Sequence, residues 1–180
     1  MVYAFLAEGF EETEAIAVID IIKRGGIDLC TVSIKDDKIV KGSHGVSIEA
    51  DMSISQIDFE KADMLFLPGG MPGTLNLADC NMLTEQIKKF ASTGKKLAAI
   101  CAAPSVLGQL GVLEGKKAIC YPGFEGKLTG AQITNEKVVK DGNVFTSKGM
   151  GTAIDLGLEI VAEYKGRGKA DEVAESIQYK

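Results

Sequence analysis

The segment Ala98-Ala99-Ile100-Cys101-Ala102-Ala103-Pro104 runs an apolar stretch into a cysteine, two small residues and a proline. A strand that turns sharply into a helix presents the residue at the turn and leaves no room for bulk beside it. Ala102 and Ala103 fit that need, and Pro104 suits the first turn of a helix. The pattern is a nucleophile elbow with Cys in place of Ser and without the flanking glycines of GxSxG. A thiol before a helix N-terminus is expected to favour its thiolate. The plainer alternative is a small buried hydrophobe. Pro68-Gly69-Gly70 offers bare backbone N–H groups that could hold an oxyanion formed when a thiolate attacks a carbonyl, or is simply a glycine turn. Gly149-Met150-Gly151 reads as a second close-approach loop. Glu11-Glu12-Thr13-Glu14 opens a helical pattern, and Glu14 shares a flank with Val18, Ile21 and Ile22. A carboxyl on such a flank is partly desolvated and keeps its proton near neutrality. Glu11 has a similar claim through Ala15, Val18 and Ile22, so periodicity leaves the two open. All three acids could also merely charge the helix N-terminus.

These groups must be positioned by an alternation of strands and helices. Residues 2–7, 28–34, 64–67, 97–100 and 117–120 read as strands. Residues 11–24, 83–91, 104–110, 152–164 and 170–177 read as helices. Residues 38–50 predict a hairpin turning at Gly42-Ser43-His44-Gly45, and Asp141-Gly142 turns a second one. The central strands are almost wholly apolar, which predicts a mostly parallel sheet covered by helices on both sides, a three-layer α/β sandwich. Sites in such folds lie at the C-terminal ends of the strands. Glu8-Gly9, Pro68-Gly69-Gly70 and Cys101 all follow strands.

The chain has 180 residues, 46% hydrophobic and 25% charged, which predicts one globular domain over 1–180. A net charge of −5 without a basic block makes a poor phosphate-backbone binder, and seven Phe, four Tyr and no Trp weigh against a base-stacking platform. No nucleic-acid partner is therefore expected. No apolar run approaches the ~20 residues of a membrane span, so no membrane association is expected either. The first eight residues carry no basic n-region and read as no signal peptide. Cys30, Cys80, Cys101 and Cys120 form no CxxC pair, and the single histidine, His44, is near none of them in sequence. A reduced cytoplasmic protein without a structural metal is the expectation.

Four motifs in order resemble the ThiJ/PfpI superfamily, in the branch of the parkinsonism-associated deglycase and its bacterial relatives. They are Ala4-Phe5-Leu6-Ala7-Glu8-Gly9-Phe10-Glu11-Glu12-Thr13-Glu14, Leu67-Pro68-Gly69-Gly70, Ala99-Ile100-Cys101-Ala102-Ala103-Pro104 and Thr146-Ser147-Lys148-Gly149-Met150-Gly151-Thr152. The resemblance spans nearly the whole chain. It implies a class I glutamine amidotransferase-like (flavodoxin-like) fold and a homodimer. It implies a nucleophile at Cys101, an acid/base partner at Glu14, and oxyanion-hole N–H groups from Gly70 and Ala102. Arg24 matches a family arginine near the dimer interface and pocket. His44 aligns with a family arginine on the hairpin, near the partner's pocket. Tyr121 stands where the branch often carries a histidine, and a phenol is a poor base at neutral pH. Peptidase members carry a histidine directly after the nucleophile, where this chain has Ala102.

The implied activity is a glutathione-independent glyoxalase or deglycase. Its substrates are methylglyoxal-type α-oxoaldehydes or their early protein adducts, and the protein's own thiol replaces any cofactor. A redox sensor or stress chaperone, in which Cys101 oxidises to a sulfinate, is the alternative of a different class. A cysteine peptidase or amidase is the third.

Overall fold

The computed structural model describes residues 1–179. In chain order the strands and helices are β1 (Val2–Leu6), α1 (Glu12–Arg24), β2 (Leu29–Ser33), β3 (Ile39–Lys41), β4 (Ser47–Glu49), β5 (Met52–Ser53), β6 (Met64–Leu67), α2 (Gly73–Asp79), α3 (Asn81–Thr93) and β7 (Lys96–Ile100). There follow α4 (Pro104–Gln109), β8 (Lys117–Ala118), β9 (Gln132–Ile133), β10 (Val138–Asp141), β11 (Val144–Ser147), α5 (Ala153–Lys165) and α6 (Arg167–Ser176). Seven strands form one sheet in the order β10-β11-β7-β6-β1-β2-β5. Every pair in it is parallel except β10–β11 at one edge.

β1 is buried along its whole length because both its faces are covered. Val2, Ala4 and Leu6 pack with Val18 and Ile22 of α1, Leu156 and Ile160 of α5 and Val173 of α6. Tyr3, Phe5 and Ala7 pack with Leu77 of α2, Leu83 and Ile87 of α3 and Val106 of α4. Period-two alternation thus feeds two cores, and the result is the expected three-layer α/β sandwich. The adjacent trio β7-β6-β1 brings the ends of three parallel strands side by side, with α1 following directly from β1.

Four elements depart from the sequence reading. The predicted strand 117–120 is only Lys117–Ala118, outside the main sheet, paired in parallel with β9. Its last two residues are buried, and the Ile119 amide donates to Thr146 Oγ1 at 3.0 Å, a side-chain bond in place of a ladder. α2, β5 and β9 were not expected. α2 has no side-chain N-cap and contains Gly, Thr, Asn and Asp, so propensity does not announce it. Buried Leu77 holds it in place.

Candidate active site: a buried cysteine–glutamate pair

Cys101 follows directly on β7 and adopts φ 64°, one of two non-glycine residues with positive φ among the described residues. That conformation is costly for an L-residue and marks a constrained turn. Three hydrogen bonds fix it. Cys101 N donates to the Ser147 carbonyl at 3.0 Å, Tyr121 N donates to the Cys101 carbonyl at 2.8 Å, and Ala103 N donates to the Ile100 carbonyl at 3.0 Å. Ala102 and Ala103 are buried, as the elbow requires.

Glu14 lies in the first turn of α1 and is 1% exposed. Its Oε2 accepts from the Gly69 amide at 3.1 Å. The carboxyl faces the Cys101 thiol closely enough for each to shift the other's proton affinity. A Cβ on Gly69 would stand 2.6 Å from both Cys101 Cβ and Glu14 Oε2, so only a bare backbone fits between β6 and the pair. Glu11 resolves the choice that periodicity left open. Its Oε2 accepts from Glu14 N at 2.6 Å, so Glu11 caps α1 from just outside it while Glu14 enters the core.

Burial pushes the Glu14 carboxyl up to about 7, and the charge of Glu11 adds to this, against the pull of the thiol and of the Gly69 and Met150 amides. The expectation that a helix N-terminus lowers the Cys101 pKa is not met. α4 starts three residues later, at Pro104. Burial, then the charge of Glu14, push the thiol up to about 12, and the Ala102 and Gly70 amides pull it back only in part. The two groups titrate as a pair. Between about 7 and about 12 the pair holds one proton and one negative charge. In that range the proton rests on the sulfur and the charge on Glu14, and passing the proton from sulfur to carboxyl gives a thiolate beside backbone donors and a neutral carboxyl.

The remaining predicted residues fall into two groups. The Gly70 and Ala102 amides both bear on the Cys101 sulfur and favour its charged form. Tyr121 is half-exposed, and its ring flanks Gly149 beside Glu14. Arg24 is not brought to the pair within the chain. It ends α1, ten residues or ~15 Å along the axis from Glu14, and pairs with Asp20 at 2.6 Å on the surface. His44 lies on the β3–β4 turn, exposed, with Nδ1 3.0 Å from Glu12 Oε2.

Glu12 was missed as more than a helix-end charge. It is buried, and its Oε1 accepts from the amides of His44 at 2.7 Å and Val46 at 3.3 Å. Burial pushes its carboxyl up, but the His44 ring and the surrounding amides outweigh this and lower it to about 2. It clamps the hairpin onto α1. Met150 was singled out only as part of a loop, yet its amide bears on Glu14. Among the described residues, Glu11, Glu12 and His44 are the one set whose ligand atoms all lie within 4.8 Å. The Glu11 cap and the Glu12 clamp already engage both carboxyls.

The fold is an α/β sandwich that sets a strained cysteine beside a buried carboxyl at the strand ends of a mostly parallel sheet. The DJ-1/PfpI family model matches residues 1–163, and the chain belongs to that family. Over 172 residues the chain is 41% identical to protein DJ-1 homolog A of Arabidopsis thaliana, covering 94% of this chain and 44% of the relative. The chain therefore spans less than half the length of that relative, and 39% of homolog B. It is 31% identical to the glutathione-independent glyoxalase DJR-1.2 of Caenorhabditis elegans, covering 94% and 91% of the two chains. The solved structure of oxidized Toxoplasma gondii DJ-1 superposes with TM-score 0.94 at 34% identity, covering 98% and 97%. No helix among the described residues is long and apolar enough to cross a membrane.

Proposed function

We propose that the protein is a glutathione-independent glyoxalase or deglycase in which Cys101 attacks the aldehyde carbon of an α-oxoaldehyde such as methylglyoxal. The observation that carries this is the buried Glu14 carboxyl, poised at about 7 against the thiol. The Cys101 thiolate forms the C–S bond as the C=O π bond breaks. The nascent alkoxide is held by the Gly70 and Ala102 amides and takes the Glu14 proton, giving a hemithioacetal. Glu14, now ionised, removes the proton from the sulfur-bearing carbon as the neighbouring carbonyl becomes an enediolate; the hydroxyl proton passes from the first oxygen to the second, and Glu14 returns its proton to the neighbouring carbon. The product is the thioester of a 2-hydroxy acid, and water releases the acid and the thiol. The relative named a glutathione-independent glyoxalase supports this reading. Early glyoxal adducts on proteins would be attacked in the same way.

A second reading has one specific support, a solved relative described as oxidized. A Cys101 sulfinate would accept from the same amides and from protonated Glu14. The peptidase reading has less support, because the residue after the nucleophile is Ala102.

We also propose a homodimer, acting in the cytoplasm, joined through the exposed side of α1. Ile16 and Ala17 line a concave patch there with Asp20, and Arg24 borders it through its pair with Asp20.

The test is lactate formation from methylglyoxal by purified protein without glutathione. Turnover that disappears in Cys101→Ala supports the enzyme. A protein that forms no lactate but accumulates a Cys101 sulfinate under mild peroxide supports the sensor.

A further inference from the structure

Gly149 has no structural need to be glycine. Its backbone is extended, at φ 162° and ψ −168°, a conformation any residue adopts. An added Cβ would meet Tyr121 Cδ2 at 3.4 Å, Glu14 Oε1 at 3.8 Å and Tyr121 Cε2 at 3.9 Å, all ordinary contacts. Gly69 is the contrast, since a Cβ there would overlap Cys101 and Glu14 at 2.6 Å. The fold thus has room for a side chain at 149, and the room lies between a half-exposed phenol ring and the carboxyl of the pair. The backbone at 121 and at 149 is fixed. The Tyr121 amide donates to the Cys101 carbonyl at 2.8 Å. Gly149 N donates to Thr152 Oγ1 at 3.1 Å, and Thr152 N donates to the Gly149 carbonyl at 2.8 Å.

We propose that the bare backbone of Gly149 and the ring of Tyr121 form a slot for the carbon substituent of the oxoaldehyde, and that the slot selects aryl- over methyl-substituted substrates. This rests on the carbonyl chemistry proposed above. With the aldehyde carbon on Cys101 Sγ and Glu14 serving both carbons, the substituent of the second carbon extends past Glu14. Gly149 and Tyr121 are what it meets there. A flat aryl group can lie against the Tyr121 ring, a contact that a methyl group barely makes. A Cβ at 149 would take up that space. One methylene in an apolar pocket is worth about 10–200-fold in discrimination.

The experiment compares kcat/KM for phenylglyoxal and methylglyoxal in wild type, Gly149→Ala, Tyr121→Ala and Tyr121→Phe. The aryl-to-methyl ratio should fall about tenfold in Gly149→Ala and in Tyr121→Ala. Tyr121→Phe keeps the ring and should hold the wild-type ratio. In parallel, Cys101 is alkylated with iodoacetamide and with its N-phenyl analogue, and the rates are followed by intact mass. The same pattern of ratios is expected without any turnover. A ratio unchanged in Gly149→Ala in both assays overturns the slot. If that variant fails to fold, equal ratios in Tyr121→Ala and Tyr121→Phe overturn it instead. A wild type that turns over neither oxoaldehyde removes the enzyme reading, and the alkylation ratios then decide the slot alone.

Discussion

At the scale of the residue, Glu14 carries the most consequence. Its folded pKa of about 7 lies above the ordinary 4.5 of a glutamate. A carboxyl raised in this way binds its proton more tightly in the folded chain, so folding stability falls as pH rises from about 4.5 through about 7. Glu14→Gln has no charge to bury and escapes that loss. The variant should be more stable than wild type above pH 7, on the order of 2–3 kcal/mol, with the gap closing toward pH 4.5. Urea melts at pH 5 and pH 8 measure it, and a gap independent of pH refutes the buried acid. In activity the direction reverses. Gln still donates to the thiolate but moves no proton, so hemithioacetal should form while 2-hydroxy acid formation falls by about 10²–10⁴-fold. Glu11→Gln should leave the chemistry in place and weaken the helix cap by about 1 kcal/mol. Cys101 alkylation should rise with pH through about 7 as the pair gives up its first proton.

At the scale of the element, the β3–β4 hairpin hangs on one side chain of α1. Glu12 has a folded pKa of about 2 against an ordinary 4.5. Its stabilisation is therefore fully present above about 4.5 and is lost as pH falls through about 2. His44, raised by its bond to Glu12 and by that charge, adds its share below its ordinary 6.5 and loses it as pH rises through the raised value. Glu12→Gln should cost about 1–3 kcal/mol in opening the hairpin. Faster hydrogen exchange at the His44 and Val46 amides is the expected sign, and unchanged protection there would count against the clamp. The hairpin itself was legible in the sequence, because Gly42-Ser43-His44-Gly45 carries turn chemistry between short alternating runs. The clamp was not. Helical periodicity describes Glu12 as a charge in a first turn and contains nothing about amides thirty residues away. The same limit applies across the site. Residues 64–67 and 97–100 announce buried strands, and Cys101-Ala102-Ala103-Pro104 announces the elbow, because local composition encodes them. The pairing of Glu14 rather than Glu11 with Cys101 depends on how α1 docks on β6 and β7, and spacing within one helix does not hold that information. The thiol pKa failed for the same reason: dipole reasoning saw the helix ahead of Cys101 but not the burial of the thiol or the carboxylate beside it.

At the scale of the whole molecule, the sheet order gathers the strand ends β7, β6 and β1 into one chain's site, whereas two of the residues matched to the family's pocket lie at the surface. Arg24 and His44 are both at the surface, one at the end of α1 and the other on the hairpin docked at its start. Between them the helix shows solvent Ile16, 45% exposed, in a concave patch with Ala17. Val46 and Ile39 of the hairpin are exposed as well. The opposite side of α1 is already buried, through Val18, Ile21 and Ile22 against β1 and α5. A helix with apolar residues on both sides packs on both sides. A second copy of the chain is the occupant we propose, and a stable interface of that kind covers about 800 Å² per partner. Light scattering at micromolar concentration should return twice the 19.1 kDa chain mass. Ile16→Asp places a carboxylate at the centre of the patch, where desolvation costs several kcal/mol, and should return the single-chain mass. Its far-ultraviolet circular dichroism should match wild type, because Ile16 is not among the buried core residues. Since Glu14, Gly70, Cys101 and Ala102 all come from one chain, Ile16→Asp should keep a Cys101 that alkylates with the same dependence on pH. A wild type that is monomeric at these concentrations would refute the dimer and leave Arg24 and His44 as surface residues with no part in a partner's pocket.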